Sequence, residues 1–215
     1  MGSVWPHKIS TGLSGAPHMA SQSGVLASLG VTLIVAMPLQ RASTSRTIAL
    51  VGLMGVGKSS IGRRLALALG MPFRDADAEI ETAAGRSISE IFTHLGETAF
   101  REGERRVIAR LLDEPPHVLA TGGGAFAHAA TRALIAERAV SVWLKADLEV
   151  LARRVARRDH RPLVAGKDPA AVLAAQAQER YPHFETADII IETGEAAHQV
   201  AVDAILHALA ARAAA

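Results

Sequence analysis

From Thr47 onward, short and almost wholly apolar runs alternate with longer stretches of helical periodicity. The apolar runs are TIALVGL, PFRDAD, HVLATGGG, SVWLKA and DIIIET, and the helical stretches begin near Gly57, Ser87, Glu97, Ala127, Leu148, Ala170 and Glu195. Runs that are apolar along their whole length are typical of strands buried on both faces, as in a parallel sheet covered by helices. The pattern therefore predicts a doubly wound, three-layer α/β/α domain whose ligands collect at the carboxyl ends of the strands.

The leader, residues 1–46, follows a different pattern. Residues 1–24 are rich in Ser, Gly and Pro without sustained periodicity, so we expect them to be disordered. The apolar run Val25–Leu39 is short for a membrane-spanning helix and is interrupted by a glycine and a proline. A vector-derived tag containing GAPHM, an upstream start with Met37 as the native beginning, and a targeting segment all stay open. The folded domain is predicted to span residues 47–215.

A glycine-rich loop separates the first apolar run from the first helix. Its sequence from Gly52 to Ser59 matches G-x-x-x-x-G-K-[ST], in which backbone N–H groups and the following helix N-terminus face a phosphate. Lys58 is expected to reach the β- and γ-phosphates, and the Ser59 hydroxyl to coordinate Mg²⁺. The residues expected to hold the nucleotide are Gly55, Val56, Gly57, Lys58, Ser59 and Ser60. The loop predicts a purine nucleotide site, with ATP as the expected ligand, but does not establish that anything is phosphorylated.

Two carboxylates, Asp75 and Asp77, follow the second predicted strand in FRDAD. Residues two apart on a strand point the same way, so one carboxylate could hold the water shell of a metal while the other orients an acceptor hydroxyl. The alternative is that Asp77 caps the helix AEIETAA and Asp75 is solvated. The position directly after a phosphate loop favours the functional interpretation.

Arg101 and Glu104 stand three residues apart in FREGE and allow two interpretations. They form either a surface ion pair, or a guanidinium that Glu104 holds and aims at an acidic substrate. The preceding stretch ISEIFTHL has the spacing of a helix that faces the core, and we assign it no chemistry.

Three consecutive glycines, Gly122 to Gly124, stand where the third strand is predicted to end. One glycine is enough for a tight turn, so three in a row suggest that a ligand approaches the backbone closely. The alternative is a mobile loop.

Further along, the arginine-rich stretch RRVARRDHR leads into Pro162 and Gly166. Such a run is usually a solvated helix face, but its Pro/Gly-bounded end resembles a lid, at about residues 153–167, that closes arginines over phosphates.

Composition narrows the possible function classes. The chain has no cysteine, which excludes a disulfide framework and a thiolate metal site and suits a cytoplasmic protein. Seven Lys and Arg residues and no acid precede Asp75, although the net charge of the whole chain is only +2. These basic residues are spread along the chain without an aromatic platform, so an anionic small-molecule substrate explains them better than nucleic acid.

Six motifs follow one another along the chain: GLMGVGKSSIG, FRDAD, GETAFREGE, ATGGGAF, RPLVAG and ERYPHFETAD. In this order, they make the chain resemble the shikimate kinase family over about residues 47–209. The resemblance implies a five-stranded parallel sheet like that of nucleoside monophosphate kinases, with a mobile lid. It also implies phosphorylation of the 3-hydroxyl of shikimate by MgATP. Departures are small: Ser60 stands where many relatives have Thr, and Phe184 where the family often has Tyr.

The resemblance implies roles on the acceptor side of the reaction. Asp77 would bind and deprotonate the acceptor hydroxyl, and Arg101 and Arg180 would clamp the shikimate carboxylate. The glycines that would line the ring are Gly122, Gly123 and Gly124.

On the nucleotide side, the resemblance implies that Lys58 and Ser59 take the phosphates and Mg²⁺, and that Asp75 holds the waters of the metal. Arg161 would be the lid arginine at the γ-phosphate. Either Arg157 or Arg158 would lie against adenine, and the sequence does not choose between them.

Three other functions compete with this interpretation. A gluconate or nucleoside monophosphate kinase would use the same phosphate loop, but the triple glycine and the RPL lid favour shikimate. A catalytically silent nucleotide-binding protein would keep the loop without turnover, and a nucleic-acid binder would use the arginine-rich stretch. We expect a monomer that binds neither nucleic acid nor membrane.

Overall fold

The structure is a computed structural model that describes residues 45–157 and 168–214. The predictions for residues 1–44 of the leader and for most of the lid, including Arg158 and Arg161, lie outside the described residues.

Five parallel strands form one sheet in the order β2-β3-β1-β4-β5. The strands are β1 (Thr47–Val51), β2 (Phe73–Asp75), β3 (Val118–Ala120), β4 (Ala139–Lys145) and β5 (Ile189–Glu192). In the centre of the sheet, Ile48 of β1 is in register with Val118 of β3 and with Val140 of β4. The strands β1, β3 and β4 are buried along almost their whole length, whereas β5 at the edge alternates buried and exposed positions. The predicted fold class is confirmed, because fully apolar strands occupy the centre and are covered by helices.

The helices of the described residues are α1 (Lys58–Leu69), α2 (Ala76–Ala84), α3 (Ile88–Leu112), α4 (Ala129–Arg138), α5 (Leu148–Ala156), α6 (Pro169–Phe184) and α7 (His198–Ala213). The two helices predicted near Ser87 and Glu97 are the two halves of α3, which is kinked at Gly96 with φ 78°. Helix α7 begins at His198 rather than near Glu195, because Gly194 and Glu195 are fastened to α5 by Arg154 and Arg153. No described helix is long and apolar enough to cross a membrane.

Arg46, near the start of the described residues, contacts the end of α4. Its Nη2 donates to the carbonyls of Ala136 at 3.2 Å and Glu137 at 2.5 Å, which are at the C-terminal end of α4. A cation at this position also interacts favourably with the helix dipole. Among the described residues, Arg46, one residue before Thr47, therefore already contacts the folded domain.

Candidate active site

A cavity of about 550 Å³ opens at the carboxyl ends of β1, β2 and β3. It is the place where an open parallel α/β sheet binds ligands. Charged and hydroxyl side chains from four separate parts of the sequence line it, namely Lys58, Ser59, Asp75, Asp77, Arg101 and Arg180. The three glycines Gly122, Gly123 and Gly124 form another part of its wall. The fold thus brings together most of the residues that the motifs singled out.

The phosphate loop has the backbone conformation that its glycines predict. Gly52, Gly55 and Gly57 have φ values of 137°, 83° and 98°, which side-chain-bearing residues rarely adopt. A Cβ on Gly52 would also lie 2.5 Å from the carbonyl oxygen of Leu144. Lys58 Nζ donates to the carbonyls of Gly52 at 2.8 Å and Leu53 at 3.1 Å, so the lysine lies over the loop.

Asp75 joins the phosphate loop to α2. Ser59 Oγ donates to Asp75 Oδ2 at 2.6 Å, and Asp75 Oδ1 accepts from the backbone N–H of Asp77 at 3.2 Å. The capping alternative assigned the cap to Asp77, and this assignment is wrong: Asp75 is the N-cap, and Asp77 is in the first turn of α2. The expectation that both carboxylates leave a strand on the same side is also wrong, because β2 ends at Asp75. Asp75 caps a helix and faces the cavity at the same time.

Arg101 and Glu104 form a buried pair, not a surface pair. Arg101 Nη1 lies 2.7 Å from Glu104 Oε2, and their side chains are only 13% and 1% exposed. The exposed Glu97 contacts the other side of the same guanidinium at 3.2 Å. Burial raises the pKa of Glu104, and the nearby Asp77 carboxylate raises it further, against the lowering effect of Arg101. Burial would lower the pKa of Arg101, but the charges and hydrogen bonds of Glu104 and Glu97 outweigh this effect and raise it.

The triple glycine makes room for charged side chains of the chain itself. A Cβ on Gly122 would lie 2.6 Å from Glu104 Oε1 and 3.0 Å from Asp77 Oδ1. A Cβ on Gly124 would lie 2.7 Å from an Nη atom of Arg101. The turn is therefore packed against the acidic and basic groups of the cavity, which argues against the mobile-loop alternative and explains why one glycine would not be enough.

Arg180 on α6 completes the charged wall. Only 9% of the residue is exposed, and its Nη1 donates to the carbonyl of Gly123 at 3.2 Å. Burial lowers the pKa of Arg180, and the positive charge of Arg101 acts in the same direction against the opposing charge of Glu179. Two partly desolvated guanidinium groups on one cavity favour an anion between them, since its charge would relieve their mutual repulsion.

Sequence reasoning missed an apolar wall of this cavity. The prediction placed the apolar side of ISEIFTHL against the core, but only Ile91 is fully buried, and Ile88 and Phe92 line the cavity. Phe100, which also lines it, has its ring centroid 4.6 Å from that of Phe92. Helical periodicity identifies an apolar face but does not distinguish a core contact from a cavity wall, so the sequence carried only part of the signal.

The first two arginines of the predicted lid contact the loop before α7. Arg153 pairs with Glu195, and Arg154 Nη2 donates to the Gly194 carbonyl at 2.7 Å. Both residues belong to α5 and fasten it to the loop before α7. Arg157 is exposed at the end of α5, so it stays available for the predicted contact with adenine.

Comparison with known proteins agrees with this geometry. A family model described as shikimate kinase matches residues 54–210. The chain is 72% identical over 165 residues to a shikimate kinase of Caulobacter vibrioides, covering 77% of this chain and 82% of that protein. It is 53% identical over 172 residues to a shikimate kinase of Paramagnetospirillum magneticum, covering 80% and 88% of the two chains.

Solved structures show the same likeness. The shikimate kinase of Acinetobacter baumannii, solved in complex with shikimate, superposes with a TM-score of 0.76 at 37% identity, covering 79% of this chain and 95% of that one. A gluconokinase of Sinorhizobium meliloti superposes with a TM-score of 0.51 at 23% identity over 77% and 92% of the two chains. The second likeness shows a shared fold only.

Proposed function

Because this chain belongs to the shikimate kinase family, it is an ATP-dependent kinase of shikimate, and we propose that the cavity at the carboxyl ends of β1, β2 and β3 is its active site. One observation carries the proposal. Two largely buried guanidinium groups, from Arg101 and Arg180, line the same cavity as the phosphate loop and Asp77. An anion recognised by the arginines would therefore lie within the same enclosure as the transferring phosphate.

On the acceptor side, Arg101 and Arg180 bind the carboxylate of shikimate. Glu104 Oε2 holds Arg101, and Glu104 Oε1 is a buried acceptor without a hydrogen-bond partner among the described residues. We assign this oxygen to a ring hydroxyl, because a buried acceptor that gains a donor gains free energy. Ile88 and Phe92 supply an apolar surface for the carbon skeleton. Such a cavity discriminates strongly against molecules without the carboxylate, because these leave the substrate-facing N–H groups of both guanidinium groups without an anionic partner.

On the nucleotide side, the loop N–H groups and Lys58 bind the phosphates of ATP. Lys58 would exchange its hydrogen bonds to the loop carbonyls for contacts with the β- and γ-phosphates. The Ser59 hydroxyl and the Asp75 carboxylate present adjacent oxygen atoms 2.6 Å apart, which is the hard donor chemistry that Mg²⁺ prefers. When bound there, Mg²⁺ would neutralise charge on the phosphates. Arg161 at the γ-phosphate, and Arg157 or Arg158 at adenine, stay predictions from the sequence.

Asp77 acts on the 3-hydroxyl of shikimate. The hydroxyl oxygen forms a bond to the γ-phosphorus, the bond from that phosphorus to the β–γ bridging oxygen breaks, ADP leaves, and the hydroxyl proton passes to the Asp77 carboxylate. Orientation and electrostatic stabilisation supply most of the acceleration in phosphoryl transfer, and the residues of this cavity provide both. We propose that the protein acts as a monomer.

The test is ADP release from MgATP with shikimate, with gluconate, with AMP and without an acceptor, while the mass of each product is recorded. We expect turnover with shikimate alone and a product heavier by one phosphoryl group. Turnover with gluconate or AMP would overturn the assignment of the arginines to the shikimate carboxylate. Tight ATP binding without turnover would identify a silent nucleotide-binding protein.

A further inference from the structure

Two buried polar atoms on α6 lack a hydrogen-bond partner among the described residues. They are Gln176 Oε1, an acceptor, and Arg180 Nε, a donor. The two residues are only 8% and 9% exposed. Buried polar atoms without partners are unfavourable and uncommon in folded proteins, so a complementary pair on one helix requires an explanation.

The two side chains are neighbours on the helix surface. Residues four apart in an α-helix lie on the same face, and both belong to the buried stripe of α6, which otherwise consists of Leu173, Ala177 and Phe184. Helical side chains lean towards the N-terminus, so the stem of Arg180 extends over the turn that carries Gln176. Gln176 Oε1 is thus a buried acceptor one helical turn from the buried donor Arg180 Nε, and the two atoms are complementary.

Another buried donor, Trp143 Nε1, also lacks a partner among the described residues. The indole ring of Trp143 packs against Tyr181, with centroids 5.1 Å apart, and against Phe184, at 5.8 Å. Those residues lie on the far side of Arg180 from Gln176 along the helix. Arg180 is therefore the better partner for the amide.

We propose that Gln176 is a positioning residue for Arg180, a role that rests on the proposed binding of the shikimate carboxylate by Arg180. Gly123 already accepts from Nη1 on one side of the guanidinium. A second hydrogen bond, from Nε to Gln176, fixes the plane of the group at two points. The remaining N–H groups then face the substrate carboxylate in one orientation, and less side-chain entropy is lost when shikimate binds.

The experiment compares Gln176→Leu with Gln178→Leu, because Gln178 is an exposed residue of the same type two positions further along α6. For Gln176→Leu we expect the KM for shikimate to rise about tenfold or more, which corresponds to the loss of one hydrogen bond to a charged group. The KM for ATP should stay unchanged, because Gln176 is not assigned to the nucleotide site. The Tm should change by no more than a few degrees, because the apolar Leu side chain packs with the rest of the buried stripe and offsets the lost hydrogen bond. Gln178→Leu should change none of these quantities. Gln176→Met, of similar length, should repeat the result.

A second substrate separates positioning from a general structural role. With the methyl ester of shikimate, which lacks the carboxylate charge, Gln176→Leu should raise KM by less than twofold. An unchanged KM for shikimate, or a fall in Tm with a rise in both KM values, would overturn the role of Gln176. Arg180→Lys tests the proposed binding of the shikimate carboxylate by Arg180. An unchanged KM for shikimate in that variant would show that Arg180 does not belong to the carboxylate site.

Discussion

Asp75 shows that one side chain can serve the fold and the chemistry together. Its Oδ1 accepts from the N–H of Asp77 and caps α2, and its Oδ2 accepts from the Ser59 hydroxyl. A cap typically contributes about 1 kcal/mol to the stability of a helix. Here the cap also fixes where α2 begins, and this places Asp77 in the first turn of the helix at the cavity.

At the residue scale, Asp77→Asn is predicted to remove most turnover. The variant keeps the shape of the side chain but loses the charge that orients and accepts the proton, so kcat should fall by about 10²–10⁴-fold. The Kd for ATP should stay nearly unchanged, because Asp77 is assigned to the acceptor. Steady-state kinetics and calorimetric titration of ATP measure both. Glu79→Gln, in the same helix but paired with Arg110, is the control and should keep its activity. Turnover like that of the wild type in Asp77→Asn would remove Asp77 from the mechanism.

The guanidinium of Arg101 has a buried and an exposed carboxylate partner, which makes a matched comparison possible. Glu104→Gln should raise the KM for shikimate by about tenfold or more, since it breaks a buried charge-assisted hydrogen bond that orients Arg101. Glu97→Gln should change this KM by less than threefold, because Glu97 is 64% exposed and exposed ion pairs contribute about 0–1 kcal/mol. Equal effects of the two variants on KM would contradict the assignment of Glu104 as the residue that holds Arg101.

At the scale of an element, the turn after β3 shapes the cavity because its glycines leave space for neighbouring charged side chains. Gly122 and Gly124 do not need a left-handed backbone, and their role is instead to let Glu104, Asp77 and Arg101 approach. The kink at Gly96 works differently: no atom lies within 4 Å of an added Cβ, and only its φ of 78° requires glycine. The kink lets the first half of α3 bring Ile88 and Phe92 to the cavity while the second half brings Arg101 and Glu104.

The element-scale prediction concerns Gly122→Ala. The new methyl group would lie 2.6 Å from Glu104 Oε1 and must displace either the carboxylate or the turn. The KM for shikimate should rise by an order of magnitude or more, and the Tm should fall by a few degrees, since a contact this close costs about 1–3 kcal/mol. Gly194→Ala is the control, because a Cβ there meets no atom within 4 Å. A KM that stays the same in Gly122→Ala would show that the turn can yield without disturbing Glu104.

At the scale of the whole molecule, Asp188, directly before β5, links β4 and α7 away from the cavity. Its Oδ2 accepts from the N–H and the hydroxyl of Ser141 on β4 at 2.9 and 2.7 Å, and its Oδ1 accepts from Arg212 on α7 at 2.8 Å. Partial burial alone would raise the pKa of Asp188. The hydrogen bonds from Ser141 and the charges of Arg212 and Arg46 outweigh burial and lower the pKa below 3.8.

This network predicts a pH-dependent contribution to stability. Because the pKa of Asp188 is lower in the folded than in the unfolded chain, its contribution is complete above about pH 3.8 and is lost as the pH falls further. Asp188→Asn should lower the Tm at pH 7 by roughly 2–4 °C, equivalent to about 1 kcal/mol in a domain of this size. The difference in Tm from the wild type should shrink below pH 3.8. Asp203→Asn, at an exposed site, is the control and should leave the Tm nearly unchanged at pH 7. A constant difference for Asp188→Asn would refute the role of its charge.

By itself, the sequence determined the parallel sheet, the phosphate loop and most of the residues that meet at the cavity. These features are encoded locally: an apolar run dictates a buried strand, and the spacing of Gly52, Gly55 and Gly57 dictates the turn that faces a phosphate. Even the division of α3 near Gly96 is visible in its periodicity. The family motifs then indicated shikimate through their resemblance to the shikimate kinase family, and their residue types suit a phosphate donor and an acceptor that carries a carboxylate.

Only the tertiary structure decided which of the alternatives at each site is realised. Asp75 rather than Asp77 caps α2, Glu104 is buried rather than exposed, and the glycines after β3 accommodate the chain's own charged groups. Ile88 and Phe92 line a cavity, and the amide of Gln176 is buried one turn from Arg180. The physical reason is common to all of them. Burial and the distance between charges depend on segments that are remote in sequence and are packed together by the sheet, and no local pattern records that packing.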